Sequence, residues 1–167
     1  MTEERRPEHK DPCLFCELSK NPENVIYENE FFYAQFDKFP ITPGHAEVIP
    51  KKHIDKLLDL NAEEWISLKE AITETVKLIE DLDLREVYSK LLENPVNEKS
   101  AWFCQQMLNH TGIDRKPDGY NYGNNDGEAA GRIVHHLHIH VIPRYKGDMK
   151  DPRGGIRHII PGMGYYK

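Results

Sequence analysis

The segment His136-Leu137-His138-Ile139-His140-Val141-Ile142 constrains this chain more than any other. Side chains alternate faces along a β-strand with period two, so a strand here puts all three imidazoles on one face. Leu137, Ile139 and Val141 then share the opposite face, against a core. A helix would scatter the same residues around its circumference. The pattern predicts a strand over 134–142 with one face reserved for chemistry. Two chemistries suit such a row. Histidines two apart on a strand can share a metal ion, but His136 and His140 stand ~13 Å apart at about 3.3 Å per residue, so one ion takes two of the three at most. The other is phosphoryl or nucleotidyl transfer, with a neutral imidazole as nucleophile and its neighbours as donors to phosphate oxygens.

Composition sets the frame for this strand. A chain of 167 residues makes one domain, large enough to bury about 70% of its unfolded surface without disulfides. No apolar run approaches a membrane span, and the charged start Met1–Lys10 lacks an apolar signal segment, which predicts a cytoplasmic protein without a membrane partner. Three cysteines make no disulfide framework and suit a reducing compartment. A net charge of −6 argues against nucleic-acid binding. The charge is uneven, however. The last 25 residues carry six cations, Arg144 and Arg153 among them, against two aspartates, a tail that could steer a small polyanion or simply be solvated.

Along the chain, residues 1–10 read as a disordered leader, 11–157 as the folded domain and 158–167 as a C-terminal tail. Asp11-Pro12 signals a short helical turn carrying Cys13 and Cys16. Strands are expected at 25–27, 31–36, 45–49 and 120–124. Asn61 and Glu64 form a cap and reach-back pair opening a helix to about Asp81. Its expected buried stripe is Trp65, Leu68, Ile72, Val76 and Ile79. Residues 84–110 should add one or two further helices. The fold class is α+β: a five-stranded, mostly antiparallel sheet with one long helix across it and an inserted helical segment at about 84–110.

The stretch 125–144, Asn-Asp-Gly-Glu-Ala-Ala-Gly-Arg-Ile-Val-His-His-Leu-His-Ile-His-Val-Ile-Pro-Arg, closely resembles the histidine triad (HIT) family of nucleotide hydrolases and transferases. Residues 36–45 and 48–53, Phe-Asp-Lys-Phe-Pro-Ile-Thr-Pro-Gly-His and Val-Ile-Pro-Lys-Lys-His, resemble its N-terminal half, in the right order. The likeness covers roughly 12–157. It implies a nucleophile at His138, a donor to phosphate and leaving-group oxygens at His140, and an orienting or metal-binding role for His136. It also implies that Asn125 and the Gly131-Arg132-Ile133 backbone face the phosphoryl group, and that Asp37 binds the ribose hydroxyls. Arg132 and Ile133 depart from the family's Gln and Ser/Thr; Arg132 either supplies charge to the phosphate or faces solvent.

Leu14, Phe15 and Leu18 suit the apolar base pocket, with a purine as first guess. Gln35 and Lys38 replace residues usually apolar there, which unsettles base preference. Cys-x-x-C alone is a weak signal shared with redox motifs. Zinc-bearing HIT members join these cysteines to two histidines, here Cys13, Cys16, His53 and His136 in a closed tetrahedron. His135, on the opposite face, reads as surface or scaffold, and His45 and His158 as hydrogen-bonding scaffold.

The likeness further implies a homodimer and a small-molecule nucleotide substrate. Diadenosine polyphosphates are favoured, because the tail from Pro143 resembles members usually labelled diadenosine tetraphosphate hydrolases. The alternatives are an adenosine phosphoramidate hydrolase, a nucleotidyltransferase, a zinc-dependent hydrolase, and a nucleotide-binding module without turnover.

Overall fold

The computed structural model describes residues 13–165; the leader and the Asp11-Pro12 cap fall outside them. Five strands form one antiparallel sheet in the order β1-β2-β3-β5-β4, with β1 at Tyr27–Glu28, β2 at Phe32–Phe36, β3 at Ala46–Pro50, β4 at Gly119–Gly123 and β5 at Ile139–Arg144. The α+β architecture expected from the sequence is the one observed. Alternation decides what each face carries. Phe32, Ala34 and Phe36 join Ala46, Val48, Leu137, Ile139 and Val141 in the main core. The opposite face carries the histidines, with Tyr33, Ile49, Phe15 and Cys13 as a smaller cluster beside them.

Helix α2, Ala62–Asp81, crosses the core face and opens on the capping box expected of Asn61 and Glu64. Its buried stripe differs from the expected one. Glu64, Ser67, Leu68, Ala71, Thr75 and Ile79 face inward, while Trp65 is exposed and Ile72 and Val76 are only partly buried. Reading aliphatic residues alone missed the small ones. Ala71 and Thr75 let the helix sit close to the sheet, and the Thr75 hydroxyl is satisfied internally by donating to the Ala71 carbonyl. Gly44 marks the same close approach. It has φ +81°, and a Cβ there would meet Ile79 Cγ2 at 2.8 Å.

The insertion is a pair of helices, α3 at Leu84–Glu93 and α4 at Glu98–Leu108. It is anchored to the sheet's loop region at two points. The Gly44 amide donates to the buried Tyr88 hydroxyl at 2.8 Å, and Ser100 Oγ donates to the Lys38 carbonyl at 2.7 Å. Phe103 of α4 packs edge-on against Phe39. The helix pair therefore braces the loop that carries Asp37.

The last strand begins later than expected. Pairing starts at Ile139, not Val134, because Pro50 ends β3 with no amide to donate and its carbonyl is taken by the His136 ring. Leu137 instead donates its amide to the Ile54 carbonyl. The alternation of faces continues through this unpaired stretch.

Candidate functional site

Two groups of side chains meet on the histidine face. The first joins the N-terminal turn to the entry of β5. Short helix α1, Leu14–Leu18, starts at Cys13, and i, i+3 spacing turns Cys13 and Cys16 to one side. His136 Nδ1 lies 3.3 Å from Cys13 Sγ and 3.5 Å from Cys16 Sγ, and His53 Nδ1 lies 3.6 Å from Cys16 Sγ. All four ligand atoms fall within 4.8 Å of one another. The second coordination layer is present too. His136 Nε2 donates to the Pro50 carbonyl at 2.8 Å, which leaves Nδ1 as a lone pair facing the sulfurs, and His53 Nε2 lies 3.2 Å from Asp55 Oδ1. Burial, and then the adjoining Cys13 thiol, pushes Cys16 up to about 11. A Cys16 thiolate is disfavoured here alone, and a divalent cation would supply the missing charge. The donor set fits a closed tetrahedral zinc site of structural type.

The second group surrounds His138 and His140. His138 Nδ1 donates to the His136 carbonyl at 2.8 Å, so its Nε2 carries a free lone pair. Phe15 packs 5.1 Å from its ring and His140 stands edge-on at 5.0 Å. The Ile41 amide donates to His45 Nδ1 at 3.4 Å; in that tautomer the proton sits on His45 Nε2, 3.0 Å from His140 Nδ1. His140 then keeps its own proton on Nε2 and is a neutral donor. Burial, followed by His45 and His138, lowers His140 to about 4. Asp37 completes the group, with Oδ2 at 3.4 Å from His45 Nδ1 and Oδ1 accepting from the Phe39 amide at 2.7 Å. The arrangement offers an unprotonated nitrogen, a neutral N–H donor and a carboxylate side by side.

The remaining expected residues fall unevenly. Phe15 is buried and Leu18 partly so, but Leu14 is exposed. Asn125 Nδ2 lies beside Gly131, which adopts φ +89°. The Gly131 and Arg132 amides donate within their own turn to Glu128 and Gly127, so the backbone expected to meet a phosphoryl group is partly engaged already. Ile133 is 89% exposed. Arg132 neither meets the histidines nor faces solvent. It donates to the Asp55 carbonyl at 3.0 Å with Asp126 at 3.7 Å, bracing the loop behind His53. Two arginines of the basic tail are paired as well. Arg144 forms a two-point pair with Asp148, and Arg153 another with Asp151.

This geometry has counterparts among known proteins. Residues 19–147 match the HIT domain. The chain belongs to the histidine triad family. An uncharacterized HIT-like protein of Methanocaldococcus jannaschii is 30% identical over 138 residues, 81% of each chain. A zinc-bound histidine triad family protein from Mycobacterium smegmatis aligns at TM-score 0.50 and 30% identity, covering 84% of this chain and 80% of that one. A histidine triad nucleotide-binding protein from Candida albicans aligns at TM-score 0.52 and 26% identity, covering 79% and 74%. Among the described residues of this HIT protein, no helix is long and apolar enough to cross a membrane.

One residue of this HIT site escaped sequence reasoning. Glu47 of β3 lies directly opposite His140, and a carboxylate oxygen comes within 4.8 Å of ring nitrogens of both His138 and His140. Its placement in the predicted strand was the available signal, since it shares a face with His45. Burial pushes Glu47 up to about 8, with Asp37 adding to the shift. Stability should therefore peak near neutrality. Burial lowers His45 and brings His140 to about 4, so both stay neutral in the fold while the unfolded chain takes up protons below about 6.5, and stability falls as pH drops through that window. Glu47 acts oppositely. Its folded form holds a proton that the unfolded chain releases above about 4.5, so its contribution is lost progressively toward pH 8. Denaturant melts at pH 5, 6.5 and 8 should show a maximum at the middle value, and Glu47→Gln should flatten the alkaline limb only.

Proposed function

We propose that this HIT protein cleaves a nucleoside 5′-phosphoryl group from its leaving group through a covalent intermediate on His138. The observation that carries this reading is the hydrogen bond from His138 Nδ1 to the His136 carbonyl, which aims a free Nε2 lone pair beside a neutral donor, His140. Nε2 attacks the α-phosphorus, an N–P bond forms, and the bond to the leaving group breaks; His140 Nε2–H hydrogen-bonds a departing phosphate oxygen, or passes its proton to a departing amine nitrogen. Water then attacks the phosphorus and the N–P bond breaks, with water's proton restoring His140 Nε2–H or passing to solvent, and the nucleoside monophosphate leaves with the His138 imidazole restored. Asp37, at the end of β2, binds the ribose hydroxyls, a two-point task suited to a carboxylate. Cys13, Cys16, His53 and His136 hold a zinc ion that ties the N-terminal turn to the histidine segment; the ion supplies folding energy there and takes no part in the displacement.

The tail's likeness to diadenosine tetraphosphate hydrolases supports a dinucleoside polyphosphate as substrate. Its charge does not, because Arg144 and Arg153 are already paired with aspartates. An adenylated amine or transfer to phosphate is the alternative. Incubation with diadenosine tetraphosphate and with an adenosine phosphoramidate, followed by product analysis, decides the leaving group. Release of adenosine monophosphate from neither would remove the reading.

Pairing of two copies also belongs to this reading. Strand β4 lies at a sheet edge with Tyr122 exposed, and Trp65 and Ile66 of α2 are exposed apolar residues. Natural proteins rarely leave both an open edge and uncovered apolar surface. Light scattering at micromolar concentration should return twice the chain mass of 19.5 kDa; a monomeric mass would refute the dimer.

A further inference from the structure

The histidine face carries a polar pair that the displacement itself does not use. On β2 the inward positions run Tyr33, Gln35 and then Asp37, and on β3 they run Ile49, Glu47 and His45. Gln35 stands directly opposite Glu47, and Glu47 opposite His140, so one row crosses three strands. At about 4.8 Å between strands, Gln35 lies ~10 Å from His140. The pair is thus one step along the strands from the Asp37–His45 pair, and Gln35 is two strands across from the histidine that would meet phosphate. Gln35 is 1% exposed and Glu47 7%. Gln35 Nε2 donates to Glu47 Oε2 at 3.0 Å, and Gln35 Oε1 is buried with no partner among the described residues. A buried carbonyl oxygen without a donor is costly, and a bound ligand can supply the donor.

We infer that Gln35 and Glu47 read the hydrogen-bonding edge of the nucleobase, with Gln35 Oε1 accepting from an exocyclic amino group. The inference rests on the nucleotide reading above, because phosphate at His138 and ribose at Asp37 are what bring a base to this end of the row. It replaces an apolar base pocket with a selective one. Phe15 and Tyr33 belong to the small apolar cluster on the same face, while the polar pair discriminates. A site built to hydrogen-bond a substrate group rejects the analogue lacking it far more strongly than an apolar pocket can, since its own buried polar atoms are then left unpaired. Lys38, whose ammonium is lowered by burial, lies in the field of Cys104, Glu47 and Asp37 and keeps this end of the pocket polar.

The test uses the whole zinc-loaded protein and calorimetric titration with two matched pairs: adenosine against purine-riboside 5′-monophosphate, and guanosine against inosine 5′-monophosphate. Ribose 5-phosphate serves as the baseless control. The native protein should prefer the amino-bearing member of at least one pair by tenfold or more. Gln35→Met, which keeps the volume and removes the acceptor, should bring that ratio within about threefold without weakening ribose 5-phosphate. A native-like melting temperature of Gln35→Met, together with its unchanged ribose 5-phosphate affinity, guards against a folding artefact. Native protein that binds all four nucleotides alike, or Gln35→Met that keeps the ratio, overturns the inference while leaving the nucleotide reading intact. Failure of every nucleotide and of ribose 5-phosphate to bind overturns both.

Discussion

Replacing His138 by alanine is expected to lower turnover by at least three orders of magnitude, a barrier increase of about 4 kcal/mol or more. Among the described residues, His138 alone combines a freed lone pair, a neutral imidazole donor beside it and the Asp37 carboxylate in the same group. Under the proposed reading nucleotide binding should survive, because Asp37 and Gln35 are untouched. Changing His140 should cost less, since it removes a hydrogen-bond donor and leaves the nucleophile in place. The native enzyme, quenched in acid during turnover, should carry one nucleotidyl mass on the peptide containing His138. A His138→Ala protein with near-normal turnover of every adenylated substrate would exclude the covalent route.

The zinc prediction acts on stability instead. Protein prepared without chelator should contain close to one zinc per chain. Cys13→Ser leaves Cys16, His53 and His136 to hold the ion with three strong ligands, and the N-terminal turn loses its tie to the sheet. A loss of roughly 3–4 kcal/mol would lower the melting temperature by about 10 °C for a domain of this size. The catalytic step should change only a few-fold, because His138 is held by the His136 carbonyl and not by the sulfurs. Well under half an equivalent of zinc, or a Cys13→Ser protein that melts like the native one, would defeat the claim. A chelator that stopped turnover without lowering the melting temperature would point to a catalytic metal.

The sequence by itself determined the features that depend on neighbours along the chain. Period-two alternation was enough to put His136, His138 and His140 on one face and Leu137, Ile139 and Val141 in the core. The Asn61–Glu64 capping box was readable because both partners lie within one helical turn. The resemblance picked out the two cysteines, two histidines and Asp37 by spacing that only a particular fold can gather.

Tertiary structure decided whatever rests on contacts between distant segments. The strand starts at Ile139 because Pro50, about 90 residues earlier, has no amide to offer. The buried stripe of α2 shifted onto Ser67, Ala71 and Thr75 because the sheet beneath rewards close approach over hydrophobicity. Arg132 turned to Asp55, and the helices of the insertion settled on the Asp37 loop, through hydrogen bonds between residues 77 and 62 positions apart. Glu47 is the sharpest case. Its place in the predicted strand puts it on the face of His45, but nothing local tells whether that face is buried at this position. Only the register that sets Gln35 on one side and His140 on the other buries its carboxyl, keeps it protonated near neutrality and brings it to the histidines.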